Sequence, residues 1–432
     1  MTNYIILAFC IVIVLSYIFD ITAKFSKIPG VIFLIAMGVG IRIFSDASGL
    51  ETPDFEPFLP VLGTLGLIMI VMEASLDIEL KKNKKSIIVK SISSAFILLV
   101  VFVTIFSYIL VRFLGFSLRD SLLNSIPLGI ISSSIAIPAA ANLNSGDKEF
   151  VVYESSFSDI FGIMVFDMVL LSHGTIGGTI FKFALDGIFT LIIALLSTAA
   201  LAFLLHRTKY HVNYVIILTS IILIYSLAKL IHLPALLLVL IFGLVLSNNK
   251  FLENNFVKKF IDFTKFRNDI SSFRKILGEL TFLVRSFFFI MFGYYTEINN
   301  LINPQNLLIA SGIAFGLILL RWIFFRQVLR LPAIPLVFFT PRGLITILLF
   351  LSIPVESKIP LVSEEIITLV ILMTIIVLTI GNILQKKEIP DAVPVTGQID
   401  QPGDVALNGV AATAQSTASE EEGSNSSRDI VT

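Results

Sequence analysis

One cysteine, four histidines and few charges set the first limits on this chain of 432 residues. The lone thiol, Cys10, cannot close an intramolecular disulfide and says nothing about the redox compartment. The histidines fall at loops and the ends of apolar runs, lack metal-ligand spacing, and read as surface residues. Lys plus Arg and Asp plus Glu number 31 each, and this zero balance argues against a nucleic-acid partner. No metal motif, nucleophile elbow or phosphate loop occurs, so the usual signatures of an enzyme or of a bound cofactor are missing. The first apolar run, Tyr4 to Asp20, has neither a basic leader nor a small-residue cleavage site and is expected to stay as a helix.

What is abundant is apolar surface. Hydrophobic residues make up 56% of the chain, including 38 Phe, and charged residues only 14%. Soluble domains average roughly 45–50% and about 25%. Apolar stretches of 18 or more residues recur to about residue 385, each able to cross a hydrocarbon layer about 30 Å thick. The expected fold is an all-α polytopic membrane protein whose first partner is the lipid bilayer. Thirteen spans are predicted, at 4–23, 28–44, 57–76, 86–113, 120–143, 149–172, 181–205, 211–231, 234–248, 274–298, 304–328, 335–354 and 363–385. With the N-terminus outside, Lys and Arg divide 20 to six in favour of the cytoplasmic loops, the bias that cytoplasmic loops show. Residues 388–432, rich in Pro, Gly, Ser and Thr and carrying Glu420 to Glu422, hold too few large apolar side chains to fold and are expected to form a disordered cytoplasmic tail of unknown partner.

Ionisable groups at membrane depth are costly and usually face protein or a water-filled path. Span six contains Glu154-Ser-Ser-Phe-Ser-Asp159, with Asp159 near its centre. Arg321 lies inside span eleven, and Arg342 inside span twelve within Phe339-Thr-Pro-Arg-Gly343. Five residues of helix put the two carboxylates about 7.5 Å apart along the axis and roughly 140° apart around it, so they do not easily share one site. Ser155 shares the face of Asp159, and Ser158 that of Glu154. The division this suggests is that Asp159 faces a transport path while Glu154 pairs with one of the arginines. Taking a carboxylate out of water disfavours its charged form, so a proton and a cation can compete for it. The alternative is a static ionic network, which an arginine-paired Glu154 would equally satisfy.

Two spans look broken. Ile131-Ser-Ser-Ser-Ile-Ala-Ile-Pro138 places the hydroxyls of Ser132, Ser133 and Ser134 and a proline in the fifth, where freed carbonyls and helix ends could ligate a partly dehydrated cation. Pro341 and Gly343 should interrupt the twelfth. The fifth of spans one to six thus matches the fifth of spans eight to thirteen, as an inverted repeat around span seven requires. Glu73, at the cytoplasmic end of span three, and Asp167, about 12 Å beyond Asp159 along the helix, are candidate pathway residues. Arg285 could pair, snorkel or sense pH.

These residues resemble the monovalent cation:proton antiporter superfamily, in particular its NhaP-type and sodium:proton exchanger branch, over roughly residues 4–385. Glu154 to Asp159 resembles that branch's Glu-Ser-x-x-Asn-Asp motif, with Ser158 in place of Asn. Arg321 matches the basic residue of the helix before the second broken one, and Pro341-Arg342-Gly343 its arginine-glycine motif. Met72-Glu-Ala-Ser-Leu76 is similar to a Phe-Glu-x-Gly-Leu element, and Phe288-Phe-Ile-Met-Phe-Gly293 to a Phe-Gly element. Where the family commonly carries Thr-Asp-Pro, this chain has Ser132-Ser133-Ser134, which leaves less charge to offset cation dehydration.

The resemblance implies a homodimer with a mobile core carrying Asp159. Scaffold helices one to three would occupy 1–85, core helices four to six 86–172, helix seven and scaffold helices eight to ten 173–300, core helices eleven to thirteen 301–387, and the tail 388–432. It further implies electroneutral exchange, since Ser158 leaves Asp159 the only acid of the pair. The expectation is therefore a secondary antiporter in a bacterial inner (plasma) membrane, its C-terminus cytoplasmic, exchanging Na+ for H+ without a cofactor, with K+ for H+ the nearest alternative. Asp159 would be the metal-ion ligand, with Ser132, Ser133, Ser134, Ser155 and Ser158 around it. A sodium-coupled symporter or a channel is the competing class, and a membrane enzyme or sensor the third.

Overall fold

The computed structural model describes residues 2–26, 28–48, 59–77, 85–172, 176–207, 213–231, 233–247, 263–296, 301–330 and 334–384. The expected tail, 388–432, lies outside the described residues, as do parts of the basic loops. The described chain is helical: α1 (Thr2–Ser26), α2 (Gly30–Ser48), α3 (Leu59–Asp77), α4 (Lys85–Leu114), α5 (Leu118–Gly129), α6 (Ser133–Ala139), α7 (Ser145–Leu170) and α8 (Ile176–Arg207) form its first part. There follow α9 (Asn213–Leu230), α10 (Ala235–Ser247), α11 (Phe263–Tyr295), α12 (Pro304–Ile323), α13 (Leu344–Leu351) and α14 (Glu364–Leu384). With α5 and α6 as the halves of one span, these are thirteen crossings, and residues 1–386 form one compact unit. Six stretches, among them Lys85–Leu114 and Glu364–Ile383, are by themselves long and apolar enough to cross a membrane.

The faces are sorted for lipid. On α4, Phe96, Val100, Ile105 and Tyr108 are exposed while Ser91, Ser94 and Ser107 are buried, because lipid accepts apolar side chains and hydroxyls need protein partners. The 13-residue α10 rises about 20 Å, less than the hydrocarbon thickness. It is buried by its neighbours along most of its length, so protein rather than lipid solvates its ends.

Between helices, small residues let backbones meet. A Cβ on Gly38 of α2 would strike the Ile290 carbonyl and come within 2.8 Å of the Tyr294 nitrogen, and one on Gly293 of α11 would strike the Ile35 carbonyl. Gly38→Ala must force α2 and α11 apart, an overpacking that costs about 1–3 kcal/mol. The expected result is a lower apparent melting temperature of purified protein in detergent, with Gly40→Ala, which meets nothing within 4 Å, as the silent control.

The fifth crossing breaks at Ile130–Ser132, between α5 and α6. Pro138 does not make the break: it lies inside α6. Its missing N–H instead frees the carbonyl four residues earlier, on Ser134, and Arg285 Nη1 of α11 donates to that oxygen at 3.3 Å. The twelfth crossing breaks where expected: a short 3-10 turn at Leu336–Phe338 leads into non-helical Phe339–Gly343 and then α13. The two breaks touch, with Ser132 N donating to Pro341 O at 2.9 Å. A Cβ on Gly343 would come within 2.6 Å of Ser132 Oγ, so the crossing needs glycine for closeness.

Candidate functional site

Each break leaves helical N–H and C=O groups without their ordinary partners, and at membrane depth every one must find another. Three consecutive N–H groups of the first break do so outside their own helix. Ile131 N donates to Ser158 Oγ at 2.9 Å, Ser132 N to Pro341 O, and Ser133 N to Asp159 Oδ2 at 3.3 Å. The carbonyls that Ser132 and Ser133 would have served in a continuous helix are Leu128 O and Gly129 O. Arg342 takes both, through Nε at 2.8 Å and Nη2 at 3.2 Å, and its Nη1 donates to Thr340 O at 2.8 Å and to the Thr340 hydroxyl. Thr374 Oγ1 of α14 accepts from Arg342 N at 3.0 Å. Arg342 therefore holds the carbonyl end of α5 and makes no ion pair with either acid among the described residues.

Glu154 and Arg321 form a bidentate ion pair, Nη1 to Oε1 at 2.7 Å and Nη2 to Oε2 at 2.6 Å, with both side chains 1% exposed. Ser94 Oγ of α4 donates to Oε1 at 2.5 Å. Arg321 Nε donates to Leu336 O at 3.0 Å, and its guanidinium lies 4.4 Å from the Phe325 ring centroid. The pair thus ties α7, α4 and α12 to the turn that starts the second broken crossing.

Asp159 is left differently. It is 2% exposed and its Oδ2 receives the long Ser133 N–H bond, with the Ser133 hydroxyl the other donor at the carboxylate, while Oδ1 has no hydrogen-bond partner. No ion pair reaches it among the described residues. A buried carboxylate so lightly partnered needs a counter-charge, and either a proton or a monovalent cation supplies one.

The remaining sequence-predicted residues divide around this centre. Ser132 and Ser134 hydroxyls pair with each other at 2.9 Å, and Ser133 is at the carboxylate. Ser158 holds the break, whereas Ser155 Oγ donates to Val151 O of its own helix at 2.8 Å. Glu73 and Arg285 line a cavity of about 650 Å3 with Ser134, Pro138 and Asn382. Asp167 is 9% exposed on the same helix as Leu170, which lines a second cavity of about 730 Å3 with Tyr225, Lys229, Thr296, Glu364 and Thr368. The cavities lie at opposite ends of the bundle: α3 contributes Gly63 to Leu67 to the larger and Glu73 to the smaller, and α14 contributes Glu364 to Thr368 and Asn382 respectively. Asp159 lies between these ends, closed from both by its burial.

Sequence reasoning passed over Ser94, Thr340, Thr374, Lys229 and the carbonyls of Leu128 and Gly129. Ser94 and Thr374 carried a signal, as hydroxyls within apolar runs. Backbone carbonyls carry none.

A polytopic helical bundle in which two broken crossings meet beside a buried, lightly partnered carboxylate is a membrane transporter, not an enzyme. A family model described as sodium/hydrogen exchanger, transmembrane, matches residues 10–386, and the chain belongs to that family. Exchange of a monovalent cation for protons is accordingly its class of activity. The fold is similar to that of the sodium proton antiporter MjNhaP1 from Methanocaldococcus jannaschii at pH 8, with a TM-score of 0.64 and 18% identity over 88% of this chain and 99% of that one. An electron-microscopy structure of the same antiporter gives 0.63 and 18%, over 89% and 95%. No curated protein matches the chain.

Proposed function

We propose that this protein exchanges Na+ for H+ one for one by alternating access, with Asp159 binding proton and cation in turn, and K+ as the alternative cargo. The observation that carries it is the Asp159 carboxylate, nine-tenths buried and more, with Oδ1 unpartnered beside the crossing of two broken helices. Ser133, and Ser132 and Ser134 after their mutual bond opens, supply hydroxyl oxygens suited to a small hard cation. One carboxylate that holds either one proton or one monovalent cation moves equal charge in both directions, so exchange is electroneutral. Glu154 and Arg321 are mutually neutralised, and Arg342 is engaged with the α5 carbonyls rather than with Asp159, which leaves the carboxylate to the transported ions.

The moving part is the core, 86–172 and 301–387, against the scaffold, 1–85 and 173–300. Packing supports that division, since α2 packs most closely on α11 and α3 on α10, while α4 packs on α7 and α5. The protein acts as a homodimer in a bacterial plasma membrane with its N-terminus outside, as the loop charges favour.

The test is proton flux in proteoliposomes with an acidic lumen, adding Na+, Li+ and K+ separately. Na+ is expected to alkalinise the lumen most effectively, and an imposed membrane potential to leave the rate within about twofold, where an electrogenic step would change it roughly tenfold per 1.4 kcal/mol of field energy. Absence of cation-driven flux would move the chain to a symporter or channel, and a larger response to K+ would reassign the cargo.

A further inference from the structure

The cavity of about 650 Å3 lies between the two bodies that the proposed motion displaces. Leu34 of α2, Glu73 of α3 and Phe282 of α11 wall it on the scaffold side, and Ser134 and Pro138 of α6 on the core side. A hydrogen bond joins the two walls: Arg285 Nη1 of α11, itself part of the lining, donates to Ser134 O at 3.3 Å. The acceptor is available because of Pro138. Any other residue at 138 would carry an N–H to serve Ser134 O within α6. The donor comes from a braced position, since the guanidinium lies 5.9 Å from the centre of the Phe282 ring one turn earlier, and Phe282 meets Tyr17 of α1 edge-on at 5.8 Å. Where Leu348 of α13 fills the space over Gly63 of α3, by contrast, core and scaffold meet through apolar surface. Apolar contact is non-directional and lets surfaces slide, whereas a hydrogen bond fixes distance and angle.

Resting on the alternating access proposed above, we propose that Arg285 is a positioning residue, a latch carried by the scaffold that holds the broken fifth crossing of the core in its present register and releases it each time the core moves. In this register Asp159 is closed from both ends, so the latch sets how often the carboxylate is uncovered. Release leaves neither end of the bond stranded. Asp20, Glu73 and Glu279 wall the same cavity, and carboxylates are strong acceptors for a guanidinium. Ser134 O faces a space large enough for water, which replaces a direct hydrogen bond at little enthalpic loss. Pro138 thus does more than weaken α6: it leaves one carbonyl of the core for the scaffold to grip.

Modification of a buried thiol beside Asp159 reads the latch without any transport. In a Cys10→Ser, Ser155→Cys protein in proteoliposomes, the new thiol replaces a side chain 1% exposed, four residues before Asp159 and on its face. A small cationic methanethiosulfonate reaches it only when the core leaves its present register. Arg285→Gln should raise the modification rate about three- to tenfold, as for a charged hydrogen bond partly replaced by water, and Arg285→Lys, which keeps a charged donor, should bring it back towards the parent rate. Pro138→Ala separates a latch from a mere cap on a broken helix. It gives Ser134 O a partner inside α6 and loosens the grip of Arg285, so a latch predicts modification faster by about twofold or more, and a less than additive effect when joined to Arg285→Gln. A cap predicts unchanged or slower modification, because α6 has gained a bond. A rate that Arg285→Gln leaves at the parent value, or that Pro138→Ala fails to raise, would overturn the latch even where cation-driven proton flux is intact. A rate that responds to both substitutions in a protein without such flux would keep the latch and discard the exchange mechanism.

Discussion

Asp159→Asn is expected to bring cation-driven proton flux in proteoliposomes down to that of empty liposomes. The amide is nearly the same size as the carboxyl and can still accept the Ser133 N–H bond, so the fold has little reason to change. What is lost is chemical. An amide nitrogen takes up no proton in the physiological range, so the proton limb of the cycle disappears outright. On the cation limb, a carbonyl dipole replaces a full negative charge, and charged partners exceed neutral ones by about 1–1.5 kcal/mol, or about 5- to 12-fold in affinity. Asp159→Glu separates charge from position: it keeps an ionisable group but pushes it one methylene further into a pocket of 2% exposure, and should retain partial flux with a weaker apparent cation affinity. Wild-type flux in Asp159→Asn would remove Asp159 from the mechanism. Loss of flux accompanied by a lowered melting temperature would assign it to structure.

The second large effect is on stability. Glu154→Gln should lower the apparent melting temperature of the detergent-solubilised protein by about 5–15 °C, since stranding one member of a buried ion pair costs about 3–5 kcal/mol. Arg321 would keep Leu336 O and the Phe325 ring but lose the charge that balances it at 1% exposure. Arg321→Met should be at least as damaging, because it also orphans the Leu336 carbonyl and leaves Glu154 with only Ser94 as donor. In the double variant Glu154→Gln, Arg321→Met no uncompensated charge remains, and the loss should be clearly smaller than the sum of the two. Glu154→Gln combined with Arg342→Met should instead be additive or worse, because Arg342 serves the Leu128 and Gly129 carbonyls and not Glu154. Strict additivity in the Arg321 cycle would contradict the ion pair, and the readout is the ligand-free melting temperature, independent of transport.

How much of this could be read before any coordinates is uneven for physical reasons. The thirteen crossings were legible because transfer of an apolar run into lipid is a local, nearly additive quantity that each window of residues expresses by itself. Even the short α10 announced itself by its run of Leu, Val and Ile. The second break was legible from Pro341 and Gly343, which cannot continue a helical ladder. In the first break, the proline that drew notice was misleading. Pro138 fits within α6, because a side chain from α11 takes up the carbonyl it frees, and the chain opens earlier, at Ile130–Ser132. There it is a serine hydroxyl, a carboxylate and a neighbouring carbonyl that stand in for the missing helical partners. Such substitution depends on what lies across the gap, which proline content does not report.

By itself, then, the sequence determined that the chain lies in a membrane, how often it crosses, and which rare charges would have to be housed there. Only the tertiary structure decided how those charges are distributed: Arg321, and not Arg342, meets Glu154; Arg342 closes the carbonyl end of α5; and Asp159 keeps one oxygen without a partner. The reason is range. Hydrophobic transfer is summed residue by residue along the chain, whereas an ion pair at 2.6 Å between residues 167 apart in sequence exists only once packing has brought two helices together.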